Sequence, residues 1–358
     1  MTSNIWTHAG RNEFRRLKKL LRRQRKSSLR KRRRNFHRNS IKRSRGKIKR
    51  KFKNRIEKIE LVVTGPFCLL TSTENVISLI EQLEKHKTER KWIKEIKIDL
   101  YKITDIDIGA ISALLTKVYE MSQLTSIRVW GVSPKDPRCR EIFDRSGFLE
   151  YVTDLSGNKF KTQSQSFIFK VGKNKTRNER VGKVIETAVK FITGDTAKFP
   201  PVYSMVQEIC SNSVEWANPN SRAKNWFLGI NKIETKEGVE VLFTMTDIGE
   251  GILHTLKRKF KDIVKDVLAK DSDVLNRAFE RRYGSKTEEI NRNRGLPLIK
   301  SRFENGFVEN LMVITNGVRY NFAIPDESTI IYKNFPGTFY FWRINKKCIE
   351  RWTQPQTT

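Results

Sequence analysis

The chain has 358 residues, enough for two domains with appendages, and carries 72 Lys and Arg against 39 Asp and Glu. No apolar run is long enough for a membrane span, and the basic start lacks the apolar stretch of a signal peptide, which points to a cytoplasmic protein. Its four cysteines, Cys68, Cys139, Cys210 and Cys348, show no paired spacing, which argues against a disulfide framework or a metal cluster.

Residues 1–57 are read as a polybasic arm with little independent fold. Up to residue 55 it holds 24 Lys and Arg against one acid, Glu13, so +23 of the net +33 lies there. Charges this dense repel one another and keep the segment from folding alone. Phe14, Leu17, Leu20 and Leu21 fall at helical spacing, so a short helix is expected once an anion neutralises the arm. Arginine suits bidentate phosphate contact. The candidate nucleic-acid contacts are Arg22, Arg23, Arg25, Arg30, Arg32, Arg33, Arg34, Arg43 and Arg45. Charge alone reads phosphate, which DNA and RNA share. Eight engaged phosphates would give a salt slope of about −7 on B-DNA. A solubilising tail and adhesion to an anionic membrane face are the alternatives.

Residues 58–170 alternate between strand and helix patterns. Ile59–Val63 reads as a strand, Val76–Leu83 as a helix, and Ile96, Ile98 and Leu100 as a strand. Ile111–Val118 is helical again, Ile127–Trp130 is a strand, and Pro134–Phe143 is helix-like. This order predicts an α/β sheet covered by helices.

From residue 171 a charged linker near Gly172–Arg180 leads to an amphipathic helix over Val181–Ile192 and a second helix over Val202–Ala217. On the second, Glu208 and Asn212 are four apart and share a face. An acid there can orient and deprotonate water, and an amide oxygen one turn later can hold Mg²⁺. Phe227–Ile230 and Val239–Thr246 read as strands, the latter ending in Asp247-Ile-Gly-Glu-Gly251. A carboxylate at a strand end can accept from an adenine amino group, and Gly249 and Gly251 allow close backbone approach. Residues 252–294 are long, charged and helical in propensity. Arg294-Gly295-Leu296 then opens a helix marked by Leu298, Ile299 and Phe303, offering amide donors to phosphate. Gly337-Thr338-Phe-Tyr-Phe reads as a strand, and residues 347–358 as a C-terminal tail.

Two resemblances follow from these residues. IKIDLYKITDIDIGAISALL with IRVWGVSPKDPRCREIFDRSGF resembles a STAS domain, the fold of anti-sigma-factor antagonists. Ile108 stands in Asp107-Ile108-Gly109 where that family carries a phosphorylatable serine, so the serine switch is absent. The boxes around Glu208, Asp247, Gly295 and Thr338, in this order, resemble the GHKL ATPases over about 180–346. The implied fold class is α/β: a STAS-like α/β domain followed by a GHKL α/β-sandwich ATPase domain over 171–346, with a lid over about 252–294.

By that resemblance Glu208 is the catalytic acid and Asn212 the Mg²⁺ ligand. Asp247, Gly249 and Gly251 meet adenine, Arg294, Gly295 and Leu296 meet phosphate, and Thr338 lies beside the adenine aspartate. The implied cofactors are ATP and Mg²⁺, with ATP cleaved to ADP and phosphate. Pro297 stands where the family often has a second glycine, and Trp216 where it often has histidine. The expected partners are nucleic acid through the arm, and a protein partner or second copy through the STAS-like and GHKL parts. The alternatives to a nucleic-acid-linked ATPase are an ATP-sensing scaffold and an anti-sigma type serine kinase.

Overall fold

The structure, a computed structural model, describes residues 57–89, 93–153, 158, 160, 167–173, 178–216, 225–247, 249–259, 270–280 and 295–354. The arm lies outside these residues, with all nine of its candidate arginines, and so does Arg294. From Lys58 onward the chain forms one compact unit, so the segments read as two domains are adjoining layers of one body.

The N-terminal half of this unit runs β1 (Glu57–Phe67), α1 (Thr73–Glu89), β2 (Ile93–Ile106), α2 (Ile108–Leu124), β3 (Arg128–Val132) and α3 (Pro137–Arg145). The strands form a sheet ordered β1-β2-β3, with β2 and β3 parallel. Asp107 caps α2 and also accepts N–H bonds from Leu69 at 3.0 Å and Leu70 at 2.8 Å. These bonds fix the loop before α1 to the start of α2. Ile108 is buried in the first turn, at the position that the STAS resemblance gives to serine.

The other half contains β4 (Phe167–Lys173), α4 (Asn178–Thr193), α5 (Pro200–Trp216), β5 (Asn225–Thr235), β6 (Gly238–Asp247), α6 (Ile252–Lys259), α7 (Asp271–Phe279), α8 (Gly295–Glu304), β7 (Glu309–Asn321), β8 (Thr329–Ile344) and α9 (Lys346–Thr353). Its five strands are ordered β4-β5-β6-β8-β7, all neighbours antiparallel. The molecule is thus mixed α/β, with one parallel-paired sheet and one antiparallel sheet. Gly172 and Lys173, read as linker, belong to β4, and the expected tail begins with α9.

Strand β6 and the second half of β8 are buried on both faces, which explains why they read as apolar runs instead of clean alternation. Val241, Phe243 and Met245 of β6, with Tyr340 and Trp342 of β8, face α4, α5 and α8. The intervening Phe339 and Phe341 face α1 and α2. Tyr119 of α2 meets Phe227 of β5 edge-to-face at 5.3 Å, and the hydroxyls of Ser112 and Thr246 lie 3.3 Å apart. Helices α1 and α2 are therefore sandwiched between the two sheets, and α2 is buried nearly all round.

One ionic cluster sits in this middle layer. Lys117 bridges Glu84 and Glu120, and Lys87 bonds Glu120 at 2.6 Å and Glu84 at 2.8 Å. Burial alone would push the Glu84 carboxyl up, but Lys117 and Lys87 together hold it below its usual range. Two cations balance two anions, so deleting one strands the rest. Lys117→Met should destabilise the protein by about 3–5 kcal/mol in urea denaturation, as breaking a buried pair does.

Among the described residues no helix is long and apolar enough to cross a membrane. All four cysteines are buried free thiols.

Candidate functional site

Helix α5 begins with Pro200 and Pro201, which suit a first turn where N–H groups have no helical partner. Val202, Met205, Val206, Ile209 and Cys210 form its buried stripe. Glu208 and Asn212 flank that stripe and are half-buried.

Asp247 is the last residue of β6. Its neighbours across the ladder are Trp226 on β5 and Thr338 on β8. The Thr338 N–H donates to Asp247 Oδ1 at 3.0 Å. Ser213 Oγ, on α5, lies 3.3 Å from Asp247 Oδ2 and 2.9 Å from the Ile209 carbonyl. The hydroxyl has one proton, and the shorter contact favours the carbonyl. No cation bonds Asp247 among the described residues. Burial pushes its carboxyl up to about 6, against the pull of the Thr338 N–H and of Ser213.

Gly337 makes this arrangement possible. Its φ is +115°, and a Cβ there would collide with the Asp247 carbonyl oxygen. Pro336 just before it cannot donate to a ladder, and the β7–β8 register shifts on either side of Asn316.

Tyr340 lies two residues beyond Thr338 on the same face and is fully buried. Burial first, then the charges of Asp247 and Glu208, push its phenol above the usual range. Both carboxylates therefore bear on one buried hydroxyl.

Glu208 meets α8. A Cβ on Gly295 would collide with the Glu208 carboxylate, so the acid rests on the first residue of that helix. Leu296 is half-buried and packs against the core. One turn from Glu208, the side-chain nitrogen of Asn212 is buried without a hydrogen-bond partner among the described residues. The indole nitrogen of Trp226 is in the same condition.

The glycines after Asp247 serve the local fold. Gly251 has φ +82°, and a Cβ on it would collide with the Asn316 side chain. Asn316 in turn donates to the Glu250 carbonyl at 2.8 Å, while Thr315 Oγ1 accepts from Ile252 N at 2.8 Å. The Thr315 bond satisfies an orphan N–H at the start of α6, and the Asn316 bond ties the loop before that helix to β7. Gly249 is half-buried beside them. Within the expected lid, α7 buries Val274, Leu275, Ala278 and Phe279, so this part is docked into the core.

The fold thus gathers Glu208 with Gly295, and Asp247 with Thr338, along the inner face of α5. Sequence reading missed Ser213, Tyr340, Thr315 and Asn316. Tyr340 alternates with Thr338 and was open to discovery by strand period. Ser213 follows Asn212 and reaches Asp247 only through the tertiary fold. No group of three His, Cys, Asp or Glu side chains suited to a metal occurs among the described residues. A Mg²⁺ held by one protein group and by phosphates needs none.

No protein-family model matches the chain, and no curated protein is similar enough to match it.

Proposed function

We propose that the chain is a GHKL-type ATP-binding protein, a Mg²⁺-dependent ATPase or ATP-controlled switch that engages nucleic acid through its basic arm. The observation that carries this reading is Asp247: a carboxylate buried at a strand end, with no cation bonded to it among the described residues and with acceptor capacity beyond its two contacts. Proteins rarely leave such a group unless a ligand donor completes it. Among the described residues the Asn212 side-chain nitrogen and the indole nitrogen of Trp226, Asp247's ladder neighbour, are buried donors without an acceptor, which suits a ligand that also accepts hydrogen bonds.

In this reading Asp247 takes the adenine amino group, and Thr338 and Ser213 hold Asp247 in place. Asn212 is the residue that would hold Mg²⁺, which when bound neutralises phosphate charge. The N-terminus of α8 faces the phosphates through Gly295 and Leu296, with Arg294 just ahead in sequence. Glu208 orients and deprotonates the attacking water. A non-hydrolysing ATP sensor is the second reading. It is favoured by Pro297 in the first turn of α8, which removes one N–H donor.

Titration of the full-length protein with ATP tests the proposal. Glu208→Ala should retain nucleotide binding and release no phosphate. Release by the parent should respond to added DNA or RNA, and binding of that nucleic acid should fall steeply with salt, with a slope of about −7 for eight phosphate contacts. A parent that binds ATP and releases nothing supports the sensor. Transfer of labelled γ-phosphate to protein supports the kinase. No ATP binding at all ends the proposal.

A further inference from the structure

We infer that the outer face of the β1-β2-β3 sheet is a stacking platform for the bases of a single-stranded nucleic acid, with Trp130 and Tyr101 as its rings. The inference rests on the nucleic-acid part of the reading above and adds base contact to the phosphate contact proposed for the arm.

Strand alternation defines the face. Ile96, Ile98 and Leu100 of β2 are buried in the core that α1 and α2 fill. Lys97, Asp99 and Tyr101 take the other side of the strand. The register sets Trp130 of β3 beside Lys97, and Val132 beside Asp99. The pairs Lys58–Glu95 at 3.1 Å and Lys97–Glu60 at 2.6 Å bring β1 alongside. Val62 follows on the same face, exposed, as Tyr101 is, and Trp130 is half-buried.

Each ring has a cation beside it. Lys97 Nζ lies 5.7 Å from the Trp130 ring centre, and Lys135 Nζ 5.7 Å from that of Tyr101. Arg128, two residues before Trp130, and Lys102, next to Tyr101, are exposed as well. The acids Glu60, Glu95 and Asp99 are each ion-paired to a lysine, so none stands bare against a polyanion. A ring with a neighbouring cation is the combination that holds a base and its phosphate. Strand geometry puts the Cα atoms of Trp130 and Tyr101 about 14 Å apart. The Lys97–Asp99 pair lies between them. A protein surface reaching both rings would have to bury that pair, at a desolvation cost. A nucleic-acid strand offers each ring its own base and leaves the pair in water.

Binding of oligothymidine, an abasic strand of equal length and a duplex to the full-length protein tests this, with oligouridine run beside oligothymidine to separate RNA from DNA. Arm contact with phosphate is blind to bases, so it serves all of these probes. The parent should bind a base-bearing strand about fivefold or more tighter than the abasic one. Tyr101→Ala and Trp130→Ala should each remove about fivefold or more of that affinity and leave abasic and duplex binding unchanged. Tyr101→Phe and Trp130→Phe should retain it. Should Trp130→Ala not fold, the exposed Tyr101 carries the test alone. A parent that binds abasic and base-bearing strands equally overturns the inference and leaves the arm's role intact. Equal losses on all probes in the Ala variants also overturn it, since stacking would not weaken abasic binding. So does a parent dimer that Tyr101→Ala disperses without any base effect, which would make the face a contact between copies. If no probe binds, the nucleic-acid reading fails with it.

Discussion

Asp247→Asn is expected to make the protein more heat-stable at pH 7.5 and unable to bind nucleotide. In the folded chain the carboxyl titrates near 6, above its ordinary value of 3.8, because burial penalises the charge. Between those values the folded state holds the proton more tightly than the unfolded chain, so stability falls as pH rises from about 4 to about 6. Above 6 the full penalty remains, about 3 kcal/mol for a shift of this size.

Asparagine has the same shape and no charge. Its Oδ1 still accepts from the Thr338 N–H. Its Nδ2 can donate to Ser213 Oγ, whose own proton goes to Ile209. The variant should therefore gain about 1–3 kcal/mol at pH 7.5 in denaturant melts, with the gain shrinking at pH 4.5. Its amide nitrogen would face the adenine amino group donor to donor, so nucleotide binding is lost. An Asn variant less stable than its parent at pH 7.5 would show that the carboxylate is already compensated in the folded state.

Gly337→Ala is expected to cost about 3 kcal/mol and to abolish nucleotide binding. Its φ of +115° lies outside the range open to alanine, and the added methyl meets the Asp247 carbonyl oxygen and lies 3.1 Å from Oδ1. Relief requires β6 and β8 to part where Thr338 holds Asp247. Gly238→Ala is the matching control. Gly238 has φ +120° with open space around it, so only the backbone term of about 1 kcal/mol applies. Urea melts of the two variants separate strain from collision. Equal losses would mean that the methyl at 337 is accommodated and that Asp247 is not held as described.

Much of the local structure was legible in the sequence. The spacing of Glu208 and Asn212 placed both on one helix, the apolar run before Asp247 gave a strand end, and Gly295 opened a helix. Strand β7 was not legible. Its sequence, ENLMVITNGVRYN, mixes apolar and polar residues and kinks at Asn316, where φ is +52°. Strand β4, FIFKVGK, was passed over although Phe167, Phe169 and Val171 recur with period two. Residue patterns also gave no sign that α1 and α2 back the antiparallel sheet. That layer is set by contacts such as Ser112 with Thr246, 134 residues apart. Asp107-Ile108-Gly109 shows the same limit. By resemblance it is a loop for a modified serine. In the fold it is a packing corner, where a Cβ on Gly109 would lie 3.2 Å from Leu69 Cβ and from the Phe339 ring.

The shared middle layer has a practical consequence for anyone dissecting this protein. A fragment cut to begin at residue 171 would bare Ile314, Phe335, Phe339 and Phe341 to water, a greasy slab on the reverse of the very strands that frame Asp247. Such a fragment should clump on expression and recover only when residues 58–170 are supplied alongside it.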